Sequence, residues 1–162
     1  MNSTSPVAKP VPPVTKPVPP VTKPVPPVTK PVPIPNEDSQ AFWDAAKRGE
    51  FLIQQCTGCG AHRFPPQAIC PECSSLASEW RPVSGKGKVW SYVVFHRAYH
   101  PAFKEEIPYA VACIELDEGP RLLANVRGIA PDKLRCEMRV EAILEDAADG
   151  VRIPNFRIAE SA

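Results

Sequence analysis

Five segments in the second half of the chain have the residue pattern of β-strands. Each is rich in β-branched and aromatic residues or alternates apolar with polar positions, and turn-forming residues separate the segments. They are Gly87–Arg97, Tyr109–Leu116, Arg121–Arg127, Met138–Glu145 and Val151–Ile158. Short strands at this spacing predict a five-stranded barrel of the OB type, in which a helix or loop joins the third strand to the fourth. Pro131–Leu134 is predicted to form one helical turn at that point.

A helical pattern precedes the strands. Its apolar face is formed by Phe42, Trp43, Ala45 and Ala46. Asp38 or Ser39 is expected to cap the helix, and Gly49 to end it. Phe51–Gln55 is then predicted to be a short strand, whereas the two prolines of Phe64–Pro66 predict an edge or a loop.

Four cysteines between the helix and the barrel form two Cys-x-x-Cys pairs. Ten residues separate Cys56 and Cys59 from Cys70 and Cys73. Two intervening residues let both sulfur atoms of a tight turn face one centre, so the pairs supply the four thiolates of a closed tetrahedral site. One structural Zn²⁺ ion is predicted, and the same cage also suits iron. Two disulfides are disfavoured, because the spacing is that of a metal site and no secretory signal precedes it.

The N-terminal region has a different composition. Residues 1–35 contain 13 of the 22 prolines, four lysines and no acidic residue. The heptapeptide Lys-Pro-Val-Pro-Pro-Val-Thr begins at Lys9, Lys16 and Lys23, and a fourth copy starts at Lys30. Proline at this density removes amide donors and fixes φ, so we expect a disordered polyproline II tail. Composition favours a linker, and a docking ligand for an aromatic groove is the alternative.

The rest of the chain is a single mildly acidic domain. Residues 36–162 carry 15 basic and 18 acidic side chains, a net charge of −3. We divide this part into a helix region (36–50), a zinc ribbon (51–82) and an OB-fold domain (83–162). No apolar run is long enough to span a membrane and no hydrophobic signal core begins the chain, so a cytoplasmic location is predicted.

Catalysis by this chain alone is not expected. A closed thiolate shell has no position for water or substrate, so the metal should hold structure only. No phosphate loop, nucleotide fingerprint or Ser-His-Asp arrangement is present. Cys113 lies in an apolar strand and is expected to be a small buried residue. Since four thiolates fill the metal shell, His62 is not expected to be a fifth ligand.

Several short motifs follow one another in a specific order. They are Phe42-Trp43, Cys56-x2-Cys59, Phe64-Pro65-Pro66, Cys70-Pro71-x-Cys73, Ser84-Gly85-x-Gly87, His96-Arg97, His100-Pro101-Ala102-Phe103, Pro108-Tyr109 and Asp117–Leu122. In this order they resemble the zinc-ribbon plus OB-fold proteins associated with acyl-CoA thiolases, a family once catalogued as a domain of unknown function. The resemblance extends over residues 40–158 and leaves the proline repeat outside.

The resemblance implies a mainly β fold, with an N-terminal helix, a rubredoxin-like zinc ribbon and an OB barrel. It also implies a non-catalytic subunit, because members occur with thiolases, steroid side-chain aldolases and hydroxymethylglutaryl-CoA synthase. Some members are fused to hydratases of the hot-dog fold. On this resemblance the chain binds a thiolase-fold enzyme and supports acyl-CoA binding or transfer in lipid or steroid metabolism.

Candidate acyl-CoA contacts lie in and around the longest irregular stretch of the β region, 97–107. The candidates are Arg97, His100, Phe103 and Tyr109, with Tyr99, Lys104 and Arg121 as further members. Phe42 and Trp43 are the candidates for a partner interface, because an amphipathic helix ahead of a small domain offers apolar area. For each residue, packing or an ordinary surface position is the alternative.

Nucleic-acid binding is the alternative function, because zinc ribbons and OB folds both serve it. Such modules need a basic groove with stacking aromatics. The net charge of −3 and the mixed charges along each strand disfavour this function. The four tail lysines, spaced by seven, would give only a salt-sensitive contact. Rubredoxin-like electron transfer is also disfavoured, because a ribbon beside a barrel and a helix is typical of a structural site.

Overall fold

The computed structural model describes residues 29–159, apart from the side chain of Asp149. Of the predicted proline-rich tail, 1–35, residues 1–28 lie outside the described residues, and residues 29–35 form neither a helix nor a strand. Within the described part, one α-helix, a three-stranded sheet and a five-stranded barrel follow in chain order. None of the helices in residues 29–159 has the length and apolar character needed to cross a membrane.

The helix α1 spans Gln40–Lys47. Ser39 occupies the predicted N-cap position, but its side chain accepts no hydrogen bond from the first turn of α1, so the predicted side-chain cap is wrong. Instead, Asn36 Oδ1 accepts from the Ser39 N–H at 2.9 Å, and Ser39 Oγ accepts from the Asn36 N–H at 3.0 Å. This reciprocal capping box orders the turn ahead of α1. Gly49, with φ of 86°, ends the helix as predicted.

The ribbon sheet contains β1 (Leu52–Cys56), β2 (His62–Arg63) and β3 (Ser78–Pro82). β1 lies in the centre and pairs antiparallel with both neighbours. The sequence pattern did not predict β3. This strand is an edge strand that pairs with β1 along its whole length, from Leu52 opposite Pro82 to Cys56 opposite Ser78.

The barrel strands are β4 (Lys86–Phe95), β5 (Tyr109–Leu116), β6 (Arg121–Arg127), β7 (Arg139–Asp146) and β8 (Arg152–Ile158). They close in the order β4-β5-β6-β8-β7, with β7 paired back to β4. Only the β6–β8 pair is parallel among these barrel pairs. This connectivity is that of the OB fold, so the predicted fold class is confirmed. At the predicted helical turn, Pro131–Leu134, the chain forms a single hydrogen-bonded turn over 131–133, in which the Lys133 N–H donates to the Ala130 carbonyl at 2.9 Å.

The barrel core consists of inward-facing side chains from all five strands and one residue of the connection between β6 and β7. They are Val89, Ala110, Ala112, Ile114, Leu116, Leu122, Ala124, Val126, Leu134, Val140 and Phe156. Removal of their apolar surface from water is the main force that closes the barrel.

Cys113 does not belong to this core, contrary to the sequence expectation. Along β5 the buried positions are Ala110, Ala112, Ile114 and Leu116, and Cys113 is half-buried on the outer face. Because successive strand residues face opposite sides, burial of the two alanines places the cysteine outside.

Aromatic contacts join the helix, the ribbon and the barrel. Phe42 of α1 is 2% exposed, and its ring centroid lies 5.2 Å from that of Phe64 and 6.1 Å from that of Phe51. Phe51 in turn lies 6.5 Å from Phe156 in the barrel. Edge-to-face packing of this kind couples the position of the ribbon to that of the barrel.

Candidate metal centre and barrel-loop surface

The four sulfur atoms of the two Cys-x-x-Cys pairs converge on one point. The Sγ atoms of Cys56 and Cys73 lie 3.5 Å apart, those of Cys59 and Cys70 lie 3.7 Å apart, and all four lie within 4.8 Å of one another. A tetrahedral zinc site with Zn–S bonds of about 2.3 Å has sulfur–sulfur edges of about 3.8 Å. The cage therefore has the size of a zinc site, whereas a disulfide needs about 2.05 Å.

Two equivalent turns build this cage. The N–H of Gly60 donates to the carbonyl of Cys56 at 2.9 Å, and the N–H of Ser74 donates to the carbonyl of Cys70 at 2.8 Å. Both donors have positive φ, 77° for Gly60 and 60° for Ser74. Each pair is thus followed by one left-handed residue, which turns the chain back and leaves both sulfur atoms on the same side.

Backbone donors and neighbouring sulfur atoms shift the pKa values of Cys56 and Cys73 in opposite directions. The backbone N–H of Cys59 donates to the Cys56 sulfur and lowers the pKa of Cys56 to about 6. The N–H of Ser75 favours the Cys73 thiolate, but the sulfur atoms of Cys59 and Cys56 outweigh it and raise the pKa of Cys73 to about 12. Four adjacent thiolates cannot form without a neutralising cation, and a divalent metal ion supplies that charge.

A buried arginine supports the ribbon beside the cage. Arg63 is 5% exposed, and its Nε donates to Gln54 Oε1 at 2.7 Å while Nη2 donates to the Gln67 carbonyl at 3.0 Å. Gln54 also donates to Ser78 Oγ at 2.9 Å. The network joins all three ribbon strands to the segment that enters the second cysteine pair. Sequence reasoning missed it, because an arginine carries no local signal of burial.

The connection between β4 and β5 is an ordered loop. A single 3₁₀ turn, Pro101–Phe103, begins where His100 Nδ1 accepts the Ala102 N–H at 3.2 Å. The acceptor role of Nδ1 places the proton of the neutral imidazole on Nε2. His100 therefore shapes the loop with one ring nitrogen and keeps a donor on the other.

Three of the predicted acyl-CoA candidates, His100, Phe103 and Tyr109, come together where this loop meets β5. The ring of Phe103 lies 6.1 Å from His100 and 5.8 Å from Tyr109. Tyr109 also stacks on Phe95, with centroids 5.1 Å apart and an interplanar angle of 15°. Phe95 was not among the candidates, and only its cross-strand pairing with Tyr109 reveals it.

The other candidates are placed differently. Arg97 and Lys104 are exposed on the loop, and Tyr99 is 77% exposed at the edge of Phe95. Arg121 is the first residue of β6 and pairs with Glu115, at the opposite end of β5 from Tyr109. It donates to the Glu115 carboxylate at 2.7 Å, and its Cζ lies 3.6 Å from the centroid of the Trp90 ring. Arg121 is therefore separated from the loop.

Two cavities lie beneath the loop. The larger, about 420 Å³, is open and lies against the β5–β6 face, and the smaller, about 190 Å³, lies against the β7–β8 connection. They share Asn125, Arg127 and Lys30 in their walls. The buried Oδ1 of Asn125 has no hydrogen-bond partner within the described residues. In OB folds the second and third strands and these two loops form the ligand-binding face.

The two interface candidates on α1 differ in exposure. Phe42 is a packing residue of this chain, as its contacts with Phe51 and Phe64 require. Trp43 is half-buried and keeps an accessible surface. Its ring packs edge-to-face with that of Phe42, with the centroids 5.0 Å apart. An additional apolar surface on the barrel contains Leu123, which is 73% exposed, beside Phe64 and Cys113.

Comparison with known proteins agrees with this architecture. Residues 43–79 match the family model of the ChsH2 rubredoxin-like zinc ribbon domain, and residues 80–145 match that of the ChsH2 C-terminal OB-fold domain. A DUF35 domain-containing scaffold protein of Methanocaldococcus jannaschii is 39% identical over 115 residues, which cover 67% of this chain and 81% of that protein.

Two further similarities bear on function. A probable enoyl-CoA hydratase alpha subunit of Thermomonospora curvata is 42% identical over 124 residues; these cover 76% of this chain but only 38% of that protein. A solved Ltp2-ChsH2(DUF35) aldolase contains a chain that is 40% identical, with a TM-score of 0.72, covering 78% of this chain and 98% of that one. The chain described here belongs to the ChsH2 (DUF35) family, in which a rubredoxin-like zinc ribbon precedes an OB-fold domain.

Proposed function

We propose that this chain is a non-catalytic subunit that binds a thiolase-fold enzyme, of the aldolase or thiolase type, and supports the binding or transfer of its acyl-CoA. The observation that carries the proposal is the similarity to a chain of the Ltp2-ChsH2(DUF35) aldolase, almost the whole of which is matched at 40% identity. Helix, ribbon and barrel are thus all present in the same order as in a chain of an aldolase.

The barrel loop supplies the chemistry for acyl-CoA. The rings of Phe103 and Tyr109 offer an apolar wall for a pantetheine arm or an acyl chain. His100 Nε2–H and the exposed Arg97 offer donors to phosphate or carbonyl oxygens. These groups bind and orient a ligand without forming a nucleophile–base pair, which fits a subunit that completes an enzyme's site.

The metal serves this role indirectly. One Zn²⁺ ion per chain, held by Cys56, Cys59, Cys70 and Cys73, would fix the ribbon and, through Phe64, the helix that packs on it. The proposal places the chain in the cytoplasm, where thiolates stay reduced.

Nucleic-acid binding is less well supported. The strand arginines of the barrel are paired with carboxylates and do not collect into a phosphate-binding groove. The pairs are Arg121–Glu115, Arg127–Glu145, Arg139–Asp117, Arg152–Asp146 and Arg157–Glu141. Paired arginines release few counterions from a nucleic-acid backbone, so the electrostatic term that drives such binding is small.

A hydratase is the second candidate partner. The observation that favours it is the 42% identity to a probable enoyl-CoA hydratase alpha subunit, of whose length this chain spans 38%. A subunit that bridges a hydratase and an aldolase would pass an acyl-CoA product of one enzyme to the other.

The assembly is tested by co-purification with an Ltp2-type aldolase subunit. Trp43→Ala should weaken the complex at least about fivefold, because truncation of an aromatic anchor at an interface costs about 1 kcal/mol or more. Lys47→Ala, at an exposed position of the same helix, is the matched control and should bind like the native chain. The thermal midpoint of each variant separates a binding defect from a folding defect. Native affinity of a folded Trp43→Ala variant would exclude Trp43 of α1 as a contact with the partner. Failure of the native chain to bind would exclude the proposed function.

The role of the loop is tested by the activity of the assembled enzyme. His100→Ala and His100→Asn should leave assembly intact and lower turnover or CoA-ester affinity about three- to tenfold, the value of one hydrogen bond. Asparagine can still accept the Ala102 N–H through Oδ1, so this variant keeps the loop cap but loses the Nε2 donor and the ring contact with Phe103. If His100→Asn has native activity while His100→Ala does not, the histidine shapes the loop and does not contact the ligand.

A further inference from the structure

The last copy of the proline repeat contacts the ligand face of the barrel. The ammonium group of Lys30 forms an ion pair with Glu106 and lies 5.6 Å from the centroid of the Phe103 ring. Pro31, the next residue, lines the smaller cavity together with Phe103. A lysine and a proline of the tail thus occupy an aromatic and acidic groove of the folded domain.

The groove matches the chemistry of a Lys-Pro unit. The Phe103 ring lies within cation–π range of the Lys30 ammonium group and lines the same cavity as Pro31. Glu106 supplies the opposite charge, while Arg127 in the same wall lies 3.9 Å from Glu106 and pairs with Glu145 at 3.0 Å. A proline-rich segment loses little conformational freedom on binding, because its extended conformation already exists before it docks.

The chain contains three more copies of the same unit. Lys-Pro-Val-Pro begins at Lys30 and also at Lys9, Lys16 and Lys23, always seven residues apart. The three upstream copies lie outside the described residues, but their sequence is identical over these four positions. Nothing in the contacts of Lys30 and Pro31 distinguishes the fourth copy from the others.

We propose that the groove formed by Phe103, Glu106 and Glu145 is a docking site for the Lys-Pro-Val-Pro unit, and that the four copies exchange in it. Moving from Lys30 to Lys23 lengthens the chain between the groove and Asn36 from six residues to thirteen. Each doubling of a flexible loop lowers the closing probability about threefold, and a semi-rigid proline segment loses more, so the upstream copies compete with the fourth at a disadvantage of about threefold or greater. Each step changes the length of the free tail by seven residues, about 22 Å in an extended conformation.

Docking of the repeat would also affect the proposed binding of acyl-CoA, and this consequence rests on the proposed function. Phe103 is also a candidate contact for acyl-CoA, so a docked repeat covers part of that surface. The tail would then act as an exchangeable cover, and its release would open the loop to the partner enzyme.

Hydrogen exchange of the full-length chain tests the docking without any ligand or enzyme. The amides of Phe103, Lys104 and Glu106, which donate within the loop, report its protection. Replacing all four repeat lysines by glutamine should speed their exchange about tenfold, because the ion pair and the cation–π contact are both lost. Lys30→Gln alone should speed it by less than the four-glutamine change does, since an upstream copy takes its place in part. Replacing all four by arginine keeps the charge and should preserve protection.

Two results would overturn the proposal. Native exchange rates in the four-glutamine variant would show that the repeat does not dock. Equal exchange in Lys30→Gln and the four-glutamine variant would show that upstream copies do not replace the fourth. Strand amides such as that of Val89 must stay unchanged in every variant, which confirms that the barrel itself remains folded.

Discussion

Cys56→Ser should abolish metal binding and unfold the ribbon. Its sulfur atom is buried and lies at one corner of a cage whose members are all within 4.8 Å of one another. A serine hydroxyl does not ionise to give an equivalent ligand, so the shell loses its fourth donor. Structural zinc sites contribute about 10–16 kcal/mol of apparent binding free energy at neutral pH, and this energy is also folding energy. Zinc content measured by elemental analysis should fall from one ion per chain to nearly none.

The same protein contains its own controls. Cys113 and Cys136 are free cysteines outside the cage, the first half-buried and the second exposed. Cys113→Ser and Cys136→Ser should each retain one zinc ion per chain. The barrel core has its own buried side chains, so strand amides should stay protected in Cys56→Ser while ribbon amides exchange freely. A Cys56→Ser chain that keeps a full zinc ion would contradict a four-thiolate site.

Local sequence pattern determined the barrel strands to within two residues at either end. β5 and β6 begin and end where the alternation and the turn residues of Asp117–Pro120 predict. β3 escaped prediction, because the segment Ser78–Pro82 contains charged residues and a proline and shows no alternation. It is a strand because β1 offers it a complete pairing edge, and such tertiary pairing overrides propensity.

The sequence pattern could not show which face of β5 lies inside the barrel, and the expectation for Cys113 was wrong for this reason. The segment Tyr109–Leu116 has apolar residues on both faces, so hydrophobicity alone does not say which face is inside. A shift of one residue exchanges the two faces completely. Ala110 and Ala112 face the barrel interior in the register in which β5 pairs with β4 and β6, and only the closed sheet contains that information.

The metal cage was predictable and much of the loop surface was not, for one physical reason. Only two residues intervene within each cysteine pair, so the spacing determines the geometry of each pair directly. The contacts of Phe95 with Tyr109 and of Lys30 with Glu106 join residues far apart in the chain. Those contacts depend on strand register and loop path, and no local pattern records them.

Gly87→Ala should be the most destabilising glycine substitution in the barrel. Gly87 lies in β4 opposite both Leu116 of β5 and Val140 of β7. An added Cβ would lie 2.4 Å from the backbone carbonyl oxygen of Glu115, a distance that real side chains essentially never show. Because β4 is paired on both sides, it cannot move away from β5 without opening its pairing with β7. We expect a loss of about 3 kcal/mol or more in the free energy of unfolding, at the upper end of overpacking costs.

Gly128→Ala provides the matched comparison for urea denaturation. Gly128 has φ of 74°, and an added Cβ there would meet no atom within 4 Å. This variant should lose only about 1 kcal/mol, the cost of a left-handed non-glycine residue. Gly87 has no positive φ, so the excess loss in Gly87→Ala over Gly128→Ala is a lower limit for the cost of the steric contact between β4 and β5. If Gly87→Ala is no less stable than Gly128→Ala, the strands must be able to separate at this end of the barrel, and the close approach of β4 to β5 does not hold the barrel closed.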